Sequence, residues 1–328
     1  MEGSRASAAD YARRRRLWAF GSLTLPHPSL LYHKVSPERE IGVTQVTPMA
    51  FKKQMLALKT NGWIAVGLDD DNDDDYNESS PAFLRPGLGC QPSAVDSEYE
   101  IALLRSQRRH IAGCQPQRVD SLPNQPMFLI FDDGYECIHR WAWPVLSEIG
   151  FCAAVFVPAG YIGRWNDWDY HFSRRRFKHL DIRMIKDLHS SGWTIGSHTV
   201  SHRDLHTLNP QEIEYELRDS RQKLEDIVGA AVNWLAFPFG RYNLRVIEQA
   251  RACGYKGAVT PLKTRFQVEG FQLLQAEAVY IWDRPQQLVR RLERKGFIYR
   301  LGNCLRWTVN FCNHGTTAWR RMFPLKVD

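Results

Sequence analysis

The stretch MFLIFDDGYE, residues 127–136, sets five apolar residues directly before two adjacent aspartates, Asp132 and Asp133, and a glycine. A short apolar run closed by a turn signal reads as a strand buried in a parallel sheet. Successive side chains of a strand point to opposite faces, so the two carboxylates would diverge. One can then serve as a free base while the other binds a metal, provided that other stretches supply the remaining ligands.

Outward from this strand the chain alternates between strand and helix patterns. SLLYHKV (29–35) reads as a buried strand and WIAVGL (63–68) as the next. Between them TPMAFKKQMLALKTNG (47–62) reads as a helix with Thr47 as N-cap, Pro48 at its first position and Gly62 closing it. The acidic run DDDNDDD (69–75) lacks the ordered spacing and closing glutamate of an EF-hand loop. Together with the Pro/Gly/Ser-rich stretch to about residue 97 it reads as a solvated insertion, followed by a helix over SEYEIALLRSQRRH (97–110). Beyond the aspartates, helix patterns at 136–150, 181–192, 209–229 and 244–254 alternate with strand patterns at 152–158, 193–198, 233–240 and 255–260, and a last strand is expected near EAVYIW (277–282). Seven or eight strands alternating with helices indicate an α/β fold with a parallel sheet, doubly wound or closed as a barrel. Either arrangement gathers active residues at the C-terminal ends of the strands.

That rule draws attention to GSHTVSHRDLHTL (196–208), which begins where the strand WTIG ends and carries His198 and His202 four residues apart. Alone, an HxxxH spacing is matched by any pair of solvated histidines. Beside an aspartate pair at the end of another strand, two imidazoles and one carboxylate make a three-ligand site with open positions, as hydrolytic metals require. His206 reads as a structural or surface residue.

At 328 residues and 44% hydrophobic, the chain is long enough for one large domain or two smaller ones. No uninterrupted apolar run approaches the roughly 20 residues that cross a bilayer. The segment RRRRLWAFGSLTLPHPS (13–29) has the basic and apolar regions of a signal peptide without a clear small-residue cleavage site. Localisation is therefore open: the cell envelope or exterior if the substrate is a polymer, the cytoplasm otherwise. Seven scattered cysteines show neither metal spacing nor a dense disulfide framework and read as reduced thiols. The net charge of +7 is concentrated in residues 284–328, where ten Lys/Arg stand against Glu293 and Asp328, leaving the rest near −1. Arginines interleaved with Trp, Phe and Tyr there suit contact with a membrane surface or an acidic polymer, or an amphipathic cap packed on the main domain; nucleic acid is the weaker partner.

The motifs FLIFDDGY (128–135), SHTVSH (197–202) and AFPFG (236–240) resemble the first three motifs of the polysaccharide deacetylases, the NodB-homology domain of carbohydrate esterase family 4. LLYHKVSP (30–37), VTPMAFKKQMLALKTNGW (46–63) and PAGYIG (158–163) are similar to the branch acting on poly-β-1,6-N-acetylglucosamine. The resemblance spans about 28–283, which leaves 1–27 as a basic N-terminal extension and 284–328 as a basic, aromatic C-terminal tail. It implies an irregular (β/α)7 TIM-like barrel and removal of N-acetyl groups from an N-acetylglucosamine-containing polysaccharide. It also implies Asp132 as general base, with Asp133, His198 and His202 holding one divalent metal, zinc by default with cobalt, nickel or iron as alternatives. The backbone N–H of Tyr135 would stabilise the oxyanion, and Pro238 and Phe239 would lie on the substrate side.

Two departures bear on that reading. Ala236 stands where the family commonly has an arginine steering the catalytic aspartate, although the exopolysaccharide branch also lacks it. The segment 260–283 contains no histidine to act as the family's late general acid. A metal-bound water or His33, at the end of the first strand, could supply the proton for the leaving amine; His33 reads equally as an active-site rim residue or a structural one, and slow turnover is expected. The loop GYIGRWNDWDYHFSRRRF (160–177) follows a strand and so belongs on the metal face; Trp165 or Trp168 is expected to stack on sugar rings, with Asp169 bonding hydroxyls or amines, unless these aromatics anchor the loop. Alternatives from other classes are a non-catalytic glycan-binding protein that keeps the fold and metal, and a nucleic-acid-associated protein suggested only by the basic tail.

Overall fold

A computed structural model describes residues 27–38, 43–69, 125–167, 176–261 and 268–293. The expected insertion beyond Asp69, the helix at 97–110, Trp168, Asp169, the extension up to residue 26 and the tail from 294 lie outside the described residues.

The strands are β1 (Ser29–Tyr32), β2 (Lys34–Val35), β3 (Gln45–Val46), β4 (Trp63–Ala65), β5 (Gln125–Phe131), β6 (Ala154–Val157), β7 (Thr194–Ser197), β8 (Trp234–Ala236), β9 (Gly257–Thr260), β10 (Gln272–Gln275) and β11 (Glu277–Ala278). The main sheet runs β10-β9-β8-β7-β6-β5-β1-β11, every pairing parallel, with β4 beside the start of β5 and β2 paired with β3. Only Ala276 separates β10 from β11. Its N–H bonds Thr260 O at 3.0 Å, whereas the N–H of Val279 bonds Leu31 O at 2.8 Å. One continuous stretch thus joins β9 to β1 and brings the sheet round into a barrel. The sequence pattern had shown only the second half of it.

Alternation along the strands separates two apolar layers. Leu31, Phe128, Ile130, Ala154, Phe156, Trp234, Ala236, Val259, Leu274 and Ala276 form one cluster that contains no helix residue, the barrel interior, and Leu68 joins it at the N-terminal end. The intervening residues, among them Tyr32, Leu129, Phe131, Val155, Val157, Ile195 and Leu235, pack outward against the helices. The interior is narrow. A Cβ on Gly196 would lie 2.4 Å from the Phe156 ring, and one on Gly257 2.5 Å from the Trp234 ring, so these two aromatics fill the space only because glycine faces them.

The helices are α1 (Pro48–Thr60), α2 (Trp143–Ile149), α3 (Ile182–Ser190), α4 (Pro210–Val228), α5 (Leu244–Ala252) and α6 (Pro285–Leu292). Thr47 caps α1 as expected, accepting from Ala50 N, and α4 starts with a full Asn209/Glu212 capping box. A π-turn, Ile138–Ala142, leads into α2. Helix α6 lies beyond the boundary expected at 283 yet packs on α1. Its Arg291 is buried and bonds Asp283, Glu277 and the carbonyl of Ala278. Among the described residues no helix is long and apolar enough to cross a membrane.

Candidate metal centre

The β5 ladder ends where the chemistry starts. Asp132 donates its N–H to Tyr32 O at 3.0 Å, the last rung shared with β1. By strand parity its side chain continues the inward series of Phe128 and Ile130. Asp133 then leaves the strand at φ 67°, and Gly134 follows at φ 55°, which carries the chain across the barrel mouth. The divergence expected of neighbouring carboxylates is reinforced by this turn.

Asp133 Oδ1 lies 3.3 Å from Nε2 of His198 and 3.3 Å from Nε2 of His202. The three donor atoms all fall within 4.8 Å of one another. His198 stands at the end of β7, its N–H bonded to Val157 O. Its Nδ1 donates to Ala236 O at 2.9 Å, a bond that orients the ring so that Nε2 faces Asp133. His202 packs against Phe239 with ring centroids 4.8 Å apart. Among the described residues the non-glycine positions with positive φ are Asp133, Thr199, His202 and Phe239, all at this mouth. Such conformations persist only where surrounding contacts enforce them, and they cluster at functional sites.

The two aspartates differ electrostatically. Burial pushes the Asp132 carboxyl up, the neighbouring Asp133 adds to this, and His198 and His33 oppose it. Its Oδ1 is buried with no hydrogen-bond partner. For Asp133 burial acts in the same direction, but hydrogen bonds from His198 and His202 outweigh it and hold the carboxyl well below its usual range. Burial would lower His198, yet its bond to Asp133 and the charge of Asp132 raise it. Two imidazole nitrogens and a carboxylate oxygen converging on one point, with one imidazole already oriented by a backbone carbonyl, suit a divalent zinc, cobalt, nickel or iron ion.

Of the other expected site residues, Pro238 and Phe239 sit in the turn directly after β8, and Phe239 touches His202. His33, half-buried between β1 and β2, acts on both carboxylates. Tyr135 is buried, its ring stacked on His179 at 4.8 Å and its hydroxyl accepting from Asn166 Nδ2 at 2.8 Å. Trp165 is 56% exposed.

Three supports escaped the sequence reading. His179 Nδ1 reaches the carbonyl of Asp133 at 2.7 Å, and the segment around it zips onto the aspartate turn through Glu136 N to Lys178 O and Leu180 N to Gly134 O. The Lys34 ammonium lies 4.6 Å from the centroids of both Tyr135 and Phe177. Glu216, on α4, bonds the turn between the two histidines.

Fold and site together define a parallel α/β barrel with a candidate metal centre at the C-terminal ends of its strands. Residues 120–258, the part of the chain that carries the site, match the polysaccharide deacetylase family. The chain is 31% identical over 142 residues to YxkH of Bacillus subtilis (strain 168), whose name places it in the same family; the match covers 43% of this chain and 47% of that protein, less than half its length. Among solved structures, the Streptococcus pyogenes deacetylase PplD is similar over 82% of this chain and 99% of its own, with 20% identity and a TM-score of 0.55. IcaB from Ammonifex degensii is similar over 81% and 96%, with 18% identity and a TM-score of 0.54. At these identities the two structures speak for the fold, the irregular (β/α)7 barrel implied by the motifs.

Proposed function

We propose that the chain is a metal-dependent N-deacetylase acting on an N-acetylglucosamine-containing polysaccharide. The observation that carries this reading is the contrast at Asp132-Asp133: the Asp133 carboxylate is committed to two imidazoles, while Asp132 just before it keeps a buried oxygen with no partner. Asp133, His198 and His202 would hold the ion, whose Lewis acidity would activate water and polarise the acetamide oxygen. Asp132, raised by burial, takes the proton from the attacking water as oxygen adds to the carbonyl carbon. The backbone N–H of Tyr135, on the turn after Gly134, is the proposed donor to the resulting oxyanion. On collapse the carbon–nitrogen bond breaks, acetate departs and the nitrogen takes up a proton. No histidine in 260–283 can deliver that proton, and His33 at the mouth is the proposed donor.

The test is acetate release from a panel of N-acetylglucosamine oligomers and polymers, after chelation and with zinc, cobalt, nickel or iron added back. Metal-restored release of acetate is the expected result. Saturable glycan binding without acetate under every metal would replace this reading with a non-catalytic glycan-binding protein.

A further inference from the structure

Both proposed histidine ligands sit on one short loop, His198–His202, which lies outside helix and sheet. Every backbone N–H from 199 to 202 is bonded to a side chain. Ser197 Oγ accepts from Thr199 N at 3.1 Å, Thr199 Oγ1 accepts from His202 N at 3.1 Å, and one oxygen of Glu216 accepts from both Val200 N and Ser201 N at 2.8 Å. The other oxygen of Glu216 takes the Ser201 hydroxyl. On the opposite side the carbonyls of Thr199 and Val200 accept from Ala159 and Gly160. A Cβ on Gly160 would stand 2.6 Å from Val200 O, so that approach needs glycine.

Glu216 therefore supplies half of the amide acceptors of the loop and reaches it from outside. It is 1% exposed, and it sits on α4 amid the stripe Ile213, Leu217, Ser220 and Leu224 that faces the barrel. A carboxylate placed in an apolar stripe costs stability unless its oxygens are bonded, and here both are, to the segment between the two imidazoles. Thr199 and His202 take left-handed backbone conformations that the loop would leave if its amides were released.

We propose that Glu216 is a positioning residue that sets the separation of His198 and His202, and so governs affinity for the divalent ion; this rests on the metal-binding reading of Asp133, His198 and His202. Glutamine at this position keeps the shape but loses the charge and turns an NH₂ group toward the loop. The experiment titrates apo wild type, Glu216→Gln and Ser201→Ala with cobalt(II) against a chromophoric chelator, and records the cobalt absorption spectrum at saturation. Glu216→Gln is expected to weaken binding about 10- to 100-fold, as loss of a ligand's outer partner does, with altered ligand-field bands; Ser201→Ala should weaken it a few-fold. A folded Glu216→Gln protein with wild-type affinity and spectrum overturns the proposal, even if its melting temperature falls. If Glu216→Gln does not fold, Ser201→Ala decides: unchanged affinity overturns the proposal and weakened affinity supports it. Should wild type itself take up no cobalt, the metal-site reading fails first and this proposal falls with it.

Discussion

At the N-terminal end of the barrel Leu68, Phe128 and Trp234 fill the interior with apolar atoms, whereas at the C-terminal end the mouth carries Asp132, Asp133, His198 and His202, all buried. Polar groups at the first end stay at its edge: Asp69 accepts from Trp234 Nε1 at 3.1 Å and from Asn233 at 3.2 Å. Among the described residues, the non-glycine positions with left-handed backbone all lie at the second. The same strands serve both ends, so the cost of the mouth's buried carboxylates and left-handed residues is met by packing a few residues away on the same chain segments. Stability and chemistry are thereby separated along the barrel axis, and substitutions at the two ends should give separable effects.

The largest effect should come from Asp132→Asn. It keeps the three proposed ligands and removes the base, so metal content is expected to stay at one ion per chain while the rate of acetate release falls by about 10² to 10⁴. Activity near wild type would erase the distinction drawn between the two aspartates. Next, His198→Ala or His202→Ala should weaken metal binding by more than the roughly 10- to 100-fold that loss of an outer partner costs. Elemental analysis after dialysis reads this directly, and a full complement of metal in either variant would contradict the assignment.

Within the packed part of the barrel, Gly196→Ala places a methyl group against the Phe156 ring. Overpacking of this kind typically costs about 1–3 kcal/mol, measurable by denaturant unfolding. Apo protein should show the whole loss, since the clash is with the barrel interior rather than with a ligand. No change in the unfolding midpoint would mean that the interior has slack, and the division between the two ends would lose its basis.

How far the sequence discloses each end follows from the range of the interactions. Asp132, Asp133, His198 and His202 are legible because each pair lies within a few residues and at a strand end. Glu216, fourteen residues beyond His202, left a weak signal: a charge within the apolar spacing of α4, where Ile213, Leu217 and Leu224 mark the buried face. His179 left none, because only the folded crossing of two loops brings it to the carbonyl of Asp133. The closure of the barrel was half visible, since Gln272–Gln275 and Glu277–Ala278 pair with different neighbours and neither half alternates cleanly. The tail was read as a unit from the end of the resemblance at 283 and its local excess of charge, whereas Arg291 is a cation buried in ion pairs with Asp283 and Glu277. A deletion meant to probe the tail should therefore begin at 294 and leave α6 in place.

The smallest effect concerns Trp165. Its ring is 56% exposed, and its backbone is bridged to Lys178 in the segment that zips onto the aspartate turn, which puts it on the mouth side of the molecule. An anchor that held the loop by burying its ring would not be exposed to this degree, and we propose Trp165 as a groove residue. Trp165→Ala should leave the unfolding free energy within about 0.5 kcal/mol, as surface substitutions usually do. Affinity for an N-acetylglucosamine oligomer should fall by on the order of 1 kcal/mol, the scale of one aromatic contact. Titration calorimetry on the Asp132→Asn background would measure it without turnover. A fall of several degrees in melting temperature with unchanged affinity would make Trp165 part of the scaffold and move the border between the packed and reactive parts of the barrel outward to this loop.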